Sequence, residues 1–273
     1  MFYIFAFPNI NPIAFTIGPI FSLGPINIYW YSLSYIFGIL LGNCYANILV
    51  KKFPIGLTQR HIESFMNWII IGIIIGGRLG YIFFYDSERY LNNPVEIVQI
   101  YKGGMSFHGG LIGLAISVFF FTRKYFIPFL AITDIIATVA PIGIFLGRIA
   151  NFINGELYGR ITNVKWAIIF PNSDQLPRHP SQIYEAVLEG LLLLLVMTFF
   201  TFKVHTLSKR GLNSGIFLCF YAIFRMISEN YREPDFYIEF LIVNITLGQL
   251  LCVPMLIAGI FLLLKAHGSR KIY

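Results

Sequence analysis

Residues 126–160, FIPFLAITDIIATVAPIGIFLGRIANFINGELYGR, run apolar apart from Asp134 for about six helical turns and then gather two arginines, two asparagines and a glutamate between positions 148 and 160. In a helix, residues three or four apart share a face, so Arg148, Asn151 and Asn154 or Gly155 line one side while Ile149, Phe152 and Ile153 cover the others. A helix end entering water accounts for Asn154, Gly155 and Arg160. It does not account for Arg148 and Asn151, which still lie among apolar residues. Leaving an ionisable side chain unpaired at membrane depth costs about 2.5–3.5 kcal/mol even on a lenient insertion scale, so Arg148 marks a functional position by default.

The rest of the chain has the same character. Of 273 residues, 57% are hydrophobic and 12% charged, and the mean hydropathy is +0.72; soluble domains carry about a quarter charged residues. The composition predicts an all-α integral membrane protein. Seven segments, 26–49, 64–85, 107–122, 127–150, 182–202, 214–231 and 243–264, are apolar enough to be read as transmembrane helices in a single membrane domain. Each crossing needs about 20 helical residues, and the third segment is the shortest. Transmembrane strands would alternate apolar and polar residues, which Leu191–Val196 and Phe261–Leu264 do not. Helices follow, because backbone groups in lipid must be paired within their own segment.

A net charge of +7 invites a nucleic-acid reading, but that would require Lys and Arg clustered on one soluble element. They are scattered between spans instead, so no nucleic-acid partner is expected. Lys51, Lys52, Arg60, Arg123, Lys124, Lys203, Lys209, Arg210, Lys265, Arg270 and Lys271 all fall on one side of the seven crossings, which makes that side cytoplasmic. The N-terminus is then outside and the C-terminus in the cytoplasm. Residues 1–25 have no basic n-region and four prolines, so an irregular outer segment is expected there, not a cleaved signal. Cys44, Cys219 and Cys252 are isolated in apolar segments and give neither a disulfide framework nor metal-ligand spacing. They read as packing residues, and neither a metal nor a cofactor is expected.

Other polar residues stand at comparable depth. Tyr29, Trp30 and Tyr31 open the first span, with Tyr29 and Trp30 suited to anchoring at the headgroups. The second span carries Gly72, Gly76, Gly77 and Gly80, a spacing that allows close helix approach, with Arg78 either snorkelling or binding. His108 is flanked by four glycines, Gly103, Gly104, Gly109 and Gly110, as an accessible proton acceptor would require. Asp134 reads as structural and Pro141 as a kink. The loop 161–178 is Pro-, Asn- and Ser-containing surface that leads into Arg178-His179-Pro180-Ser181-Gln182-Ile183-Tyr184-Glu185, a helix start. Ser181, Glu185 and Glu189 then stack at four-residue spacing, as do Tyr221, Arg225 and Glu229 in the sixth span.

With the orientation set by the loops, Tyr31, Arg78, His108, Arg148, Asn151, Glu185 and Arg225 all fall in the outer half of their spans. A transporter would place its site near the midplane and show repeated halves, which this chain lacks. Arginines at that depth suit a phosphate, and the phosphate available there is a phospholipid headgroup. Guanidiniums could stabilise a departing phosphate ester while His108 accepts a proton from a nucleophile. A lipid-binding transporter or flippase using the same arginines is the competing class.

These residues carry a resemblance. The chain resembles the bacterial phosphatidylglycerol:prolipoprotein diacylglyceryl transferase family over nearly all its length. The match is strongest at Arg148–Arg160, and is supported by Trp30-Tyr31, Gly76-Gly77-Arg78-Leu79-Gly80, His108 with its glycines, Arg178–Glu185 and Phe224-Arg225 through Arg232-Glu233-Pro234. Ala150 stands where the family usually has Gly. The resemblance implies an enzyme of the bacterial cytoplasmic membrane that moves the sn-1,2-diacylglyceryl group of phosphatidylglycerol to the lipobox cysteine of preprolipoproteins, releasing glycerol 1-phosphate. It implies that His108 and Tyr31 activate the thiol and that Arg148 and Arg225 hold phosphate. Asn151, Asn154, Glu156, Gly159, Glu229 and Arg78 are the further substrate-binding candidates, and His179 and Glu156 remain alternatives for the base.

Overall fold

Two helices begin by the same local device. Thr58 and Thr246 each accept a hydrogen bond from the backbone N–H three residues on, at 3.3 and 3.2 Å. The side chains of His61 and Gln249 accept from the threonine N–H in return, at 3.2 and 3.3 Å. This reciprocal cap satisfies backbone groups that a helix start otherwise leaves unpaired. It places the start of the second long helix at Gln59, five residues ahead of the expected span.

The structure, a computed structural model, describes residues 5–19, 24–100, 103–234 and 245–268. In chain order the elements are β1 (Phe5–Ala6), β2 (Ile13–Ile17), β3 (Ile26–Tyr29), α1 (Trp30–Lys52), α2 (Gln59–Tyr85), the short α3 (Ser87–Asn92), α4 (Phe107–Lys124), α5 (Phe129–Asn154), β4 (Ile168–Ile169), β5 (Pro177–Arg178), α6 (Ser181–Glu185), a π-helical stretch (Ala186–Leu192), α7 (Leu193–Lys203), α8 (Leu212–Glu229) and α9 (Leu247–His267). Every expected span contains a long helix. Among the described residues, five helices are long and apolar enough to cross a membrane: Trp30–Lys52, Gln59–Tyr85, Phe129–Asn154, the continuous Ser181–Lys203 and Leu247–His267. The chain is a mostly helical, multi-pass membrane protein. Residues 243–244 of the last expected span, Lys102 of the loop before His108, and Arg270 and Lys271 of the basic set lie outside the described residues.

Two expectations are corrected. Residues 26–29 do not open the first helix; they form β3 and pair antiparallel with β2. The N-terminal segment is likewise not wholly irregular, since β1 pairs parallel with β4, which pairs with β5. β-branched isoleucines at 13, 17, 26 and 28 favour extended backbone here, a signal that the apolar run masked.

The chain divides into two units, Met1–Tyr45 with Asp134–Ile272, and Ala46–Thr133. In the first, Ala137, Leu193, Met197, Ile216 and Phe224 form a buried apolar cluster. Beside it, buried polar side chains link the helices. Asp134 accepts from Gly211 N at 2.6 Å and from Ser214 N and Oγ at 2.8 Å each, so a residue of α5 caps α8. The structural reading of Asp134 therefore holds. Asn213 donates to Thr138 and Thr201 at 2.7 and 2.8 Å, tying α8 to α5 and α7. In the second unit α2 packs on α4 through glycine. A Cβ on Gly76 would stand 2.7 Å from Gly113 Cα, too close for any side chain.

Candidate functional site

The span Ser181–Lys203 is wound as a π-helix over Ala186–Leu192. Glu185 precedes this stretch and Glu189 lies within it, and π-bulges recur at functional sites. Gly190 lets α5 approach closely, because a Cβ there would meet Phe145 Cα at 2.6 Å. Both carboxylates are fully buried.

Three arginines surround them. Arg148 Nη1 lies 2.8 Å from Glu185 Oε2, and Nη2 lies 3.3 Å from Glu189 Oε2. Arg225 Nη1 reaches Glu185 at 3.3 Å and Glu189 at 3.5 Å, and its Nη2 lies 2.6 Å from Glu229, one turn along α8. Arg232 Nη1 lies 3.7 Å from Glu185. Ser228 Oγ donates to Glu189 at 2.9 Å, and Thr246 Oγ1 to Glu229 at 3.1 Å. Three positive and three negative charges thus close on one another, as buried ions must. The arrangement is asymmetric. The side chains of Arg148 and Arg225 keep 17% and 13% exposure, while Glu185 and Glu189 keep none, so the carboxylates are the more deeply buried partners. A guanidinium has five N–H donors, more than these pairs use.

Above this cluster, α5 ends at Gly155, whose φ of +66° is the left-handed conformation glycine takes at a helix C-terminus. The turn brings Glu156 back, and its Oε1 accepts from Asn151 at 2.8 Å and Asn154 at 3.1 Å. Gln182 Nε2 donates to Glu156 O at 2.7 Å, and Ser181 Oγ to Leu157 O at 3.0 Å. Gly159 has a backbone role. It bridges to Arg232, its N–H donates to His179 O at 2.9 Å, and a Cβ would meet His179 at 2.7 Å. Arg178 fastens this collar through Asp174 at 3.0 and 2.9 Å, Glu233 at 2.9 Å and Gly159 O at 3.0 Å. That pairing holds the Asp174 carboxyl below the usual carboxylate range.

Tyr31 shares a 3.0 Å hydroxyl hydrogen bond with Tyr35. His179 is less available as a base than its position suggested. Its Nδ1 shares a 3.1 Å hydrogen bond with Tyr184 Oη, which also accepts from Trp166 Nε1 at 2.6 Å. Burial also lowers the His179 pKa.

Of the expected residues, the first unit links Arg148, Arg225 and Glu229 in one ion-pair network and Asn151, Asn154 and Glu156 in the turn that follows. His108 and Arg78 belong to the second unit. His108 stands exposed in the first turn of α4, whose start Ser106 caps by accepting from Gly109 N at 3.2 Å. Arg78 is 4% exposed. Its guanidinium donates to five carbonyls, including Ile97 O at 2.8 Å and Gly104 O at 3.0 Å, and stacks on Tyr90 at 4.9 Å. The structure uses it to hold the segment before α4, which leaves snorkelling aside.

Glu185 was expected at the depth of the site but without a role in it, and Glu189, Gln182 and Arg232 were not among the expected site residues. The four-residue spacing of the two glutamates made a polar face visible, but nothing in the sequence indicated which arginines it meets.

A family model described as prolipoprotein diacylglyceryl transferase matches residues 19–265. Similar proteins include three named phosphatidylglycerol-prolipoprotein diacylglyceryl transferase. The one from Rickettsia felis is 56% identical over 261 residues, covering 96% of this chain and 98% of the relative. That from Rickettsia canadensis is 57% identical over 253 residues, 93% and 95% of the two chains. That from Rickettsia typhi is 57% identical over 262 residues, 96% and 99%.

Proposed function

The chain belongs to the prolipoprotein diacylglyceryl transferase family, and from that premise we propose that it transfers the sn-1,2-diacylglyceryl group of phosphatidylglycerol to the lipobox cysteine of preprolipoproteins, the first step of lipoprotein maturation. It is a transferase. The observation that carries the substrate assignment is the convergence of Arg148 and Arg225, both still partly exposed, on fully buried carboxylates that fix their guanidiniums. A guanidinium so oriented suits a phosphodiester, which takes paired N–H donors.

The reaction is displacement at a saturated carbon. The cysteine sulfur forms a bond to the glyceryl carbon that carries the phosphate ester, and the C–O bond breaks. Its electron pair leaves on the ester oxygen of glycerol 1-phosphate, and the thiol proton passes to a base. The thiol has an ordinary pKa of about 8.5, so its activation needs such a base at neutral pH. We assign that role to His108, with Tyr31 on the same thiol-activating side. Arg148 and Arg225 stabilise charge as it develops on the departing phosphate. Asn151, Asn154 and Glu156 shape the turn above them, and Glu229 orients Arg225. Arg78 and Gly159 act on substrate binding through the backbone they hold.

The seven long helices are assigned as seven crossings of the bacterial cytoplasmic membrane, N-terminus outside, with the site toward the outer leaflet. The excess of Lys and Arg in one set of loops supports this orientation.

The test is transfer of labelled diacylglycerol from phosphatidylglycerol in nanodiscs to a lipobox peptide. Wild-type protein is expected to modify the cysteine. Arg148→Lys, which keeps a positive charge beside Glu185 and Glu189, and His108→Ala are expected to abolish transfer while the protein stays folded, and alanine at Cys44, Cys219 or Cys252 to leave it working. Binding of phosphatidylglycerol without any peptide modification would sink the transferase reading.

A further inference from the structure

A cavity of about 630 Å³ opens where residues 6–12 pass the end of α5 and the segment 169–175. Side-chain amides from Asn9, Asn154, Asn172 and Gln175 line it, and none of its lining residues is charged. One wall is well anchored, since Phe7 sits between Phe152 and Phe170 with ring centroids 5.5 Å from each. Asn154 ties the cavity to the turn above the arginines, since its Nδ2 donates to Glu156 at 3.1 Å.

The lining selects the kind of partner. A phosphate would call for guanidinium or ammonium groups, and an acyl chain would leave four amides unsatisfied. Peptide bonds offer one donor and one acceptor each, which is what side-chain amides complement. β1 borders the cavity through Ala6 and stands at the edge of the β1-β4-β5 sheet, where an extended chain can add as a further strand. Asn154 also lies on the same helix as Arg148, about 9 Å further along the axis toward the end that leaves the apolar span.

We propose that this cavity docks the uncharged, extended stretch of the protein substrate on the water side of the modified cysteine. The proposal rests on the transferase reading, which supplies a peptide substrate. It makes the segment 6–12 and the segment 169–175 determinants of substrate preference, separate from the groups that hold lipid.

The test uses full-length protein in phosphatidylglycerol nanodiscs and a lipobox peptide with several residues after the cysteine. The Asn9→Ala/Asn172→Ala variant is expected to raise the peptide KM about tenfold, the loss of two net hydrogen bonds, with the phospholipid KM unchanged. Asn172→Trp, on an exposed segment and so tolerant of bulk, is expected to do the same by filling the cavity. A non-reacting Cys→Ser peptide with a photoreactive residue after the serine is expected to cross-link within 169–175. An unchanged peptide KM in both variants, or cross-links mapping elsewhere, overturns the proposal while wild-type transfer leaves the transferase reading intact. If wild-type protein never modifies the cysteine, that reading fails instead, and the cross-links still report on the cavity.

Discussion

Arg148, partly buried, and Arg78, buried, are both arginines in apolar helices, and the difference in their surroundings separates their roles. Arg78 gives its donors to neutral backbone carbonyls, which orders a loop. Arg148 faces Glu185 and Glu189, whose burial is tolerable only while the opposite charges stay in place. Glu189→Ala should therefore destabilise the protein by about 3–5 kcal/mol, the usual cost of breaking a buried pair. Thermal unfolding in detergent measures this, and a transition unchanged from wild type would show that the network is not holding the helices. His179 supplies a pH dependence. Burial places its folded-state pKa below the ordinary value, so the unfolded chain binds the proton more readily. Stability is complete above about pH 6.5 and is lost as pH falls from there through the lowered folded-state pKa. Hydrogen exchange in residues 158–184 should rise over that range in wild type and stay flat in His179→Gln.

At the scale of elements, the site depends on irregularities in otherwise ordinary helices. Glu189, one of the two glutamates that meet the arginines, stands in the π-helical Ala186–Leu192, where Gly190 allows Phe145 of α5 to press close. Gly190→Ala forces a methyl to within 2.6 Å of Phe145 Cα, so α5 has to shift and take Arg148 with it. An overpacking cost of about 1–3 kcal/mol is expected, together with a fall in kcat out of proportion to the lost stability. Full kcat in a destabilised Gly190→Ala protein would separate the helix contact from the chemistry. Asp134 shows the opposite economy: one carboxylate from α5 closes the N-terminus of α8 and needs no functional explanation.

For the whole molecule, the surface matches a lipid environment. Phe83, Phe84 and Leu264 are 70%, 76% and 69% exposed, side chains of a kind that water would expel. The seven-crossing assignment predicts that single cysteines at Lys52 and Lys203 react with a membrane-impermeant thiol reagent only from the cytoplasmic side, and that cysteines at Asn9 and Lys165 react only from the other. Labelling of Lys52 and Lys165 positions from the same face would dismantle the orientation and with it the placement of the site beneath the outer leaflet.

The sequence by itself determined the class of protein, the places of its long helices and the polar residues worth explaining, because hydropathy and three- or four-residue spacing are local properties that each segment carries alone. It also pointed to Arg148, Asn151 and Arg225, since charge is conspicuous in an apolar run. Only the tertiary structure decided which carboxylates face which arginines, that Arg78 holds a loop, that Gly159 is a backbone crossing, and that residues 26–29 pair as a strand. Those outcomes depend on contacts between residues far apart in the chain, such as Arg148 with Glu189 and Asp134 with Ser214, and no periodicity within one segment encodes its partner in another.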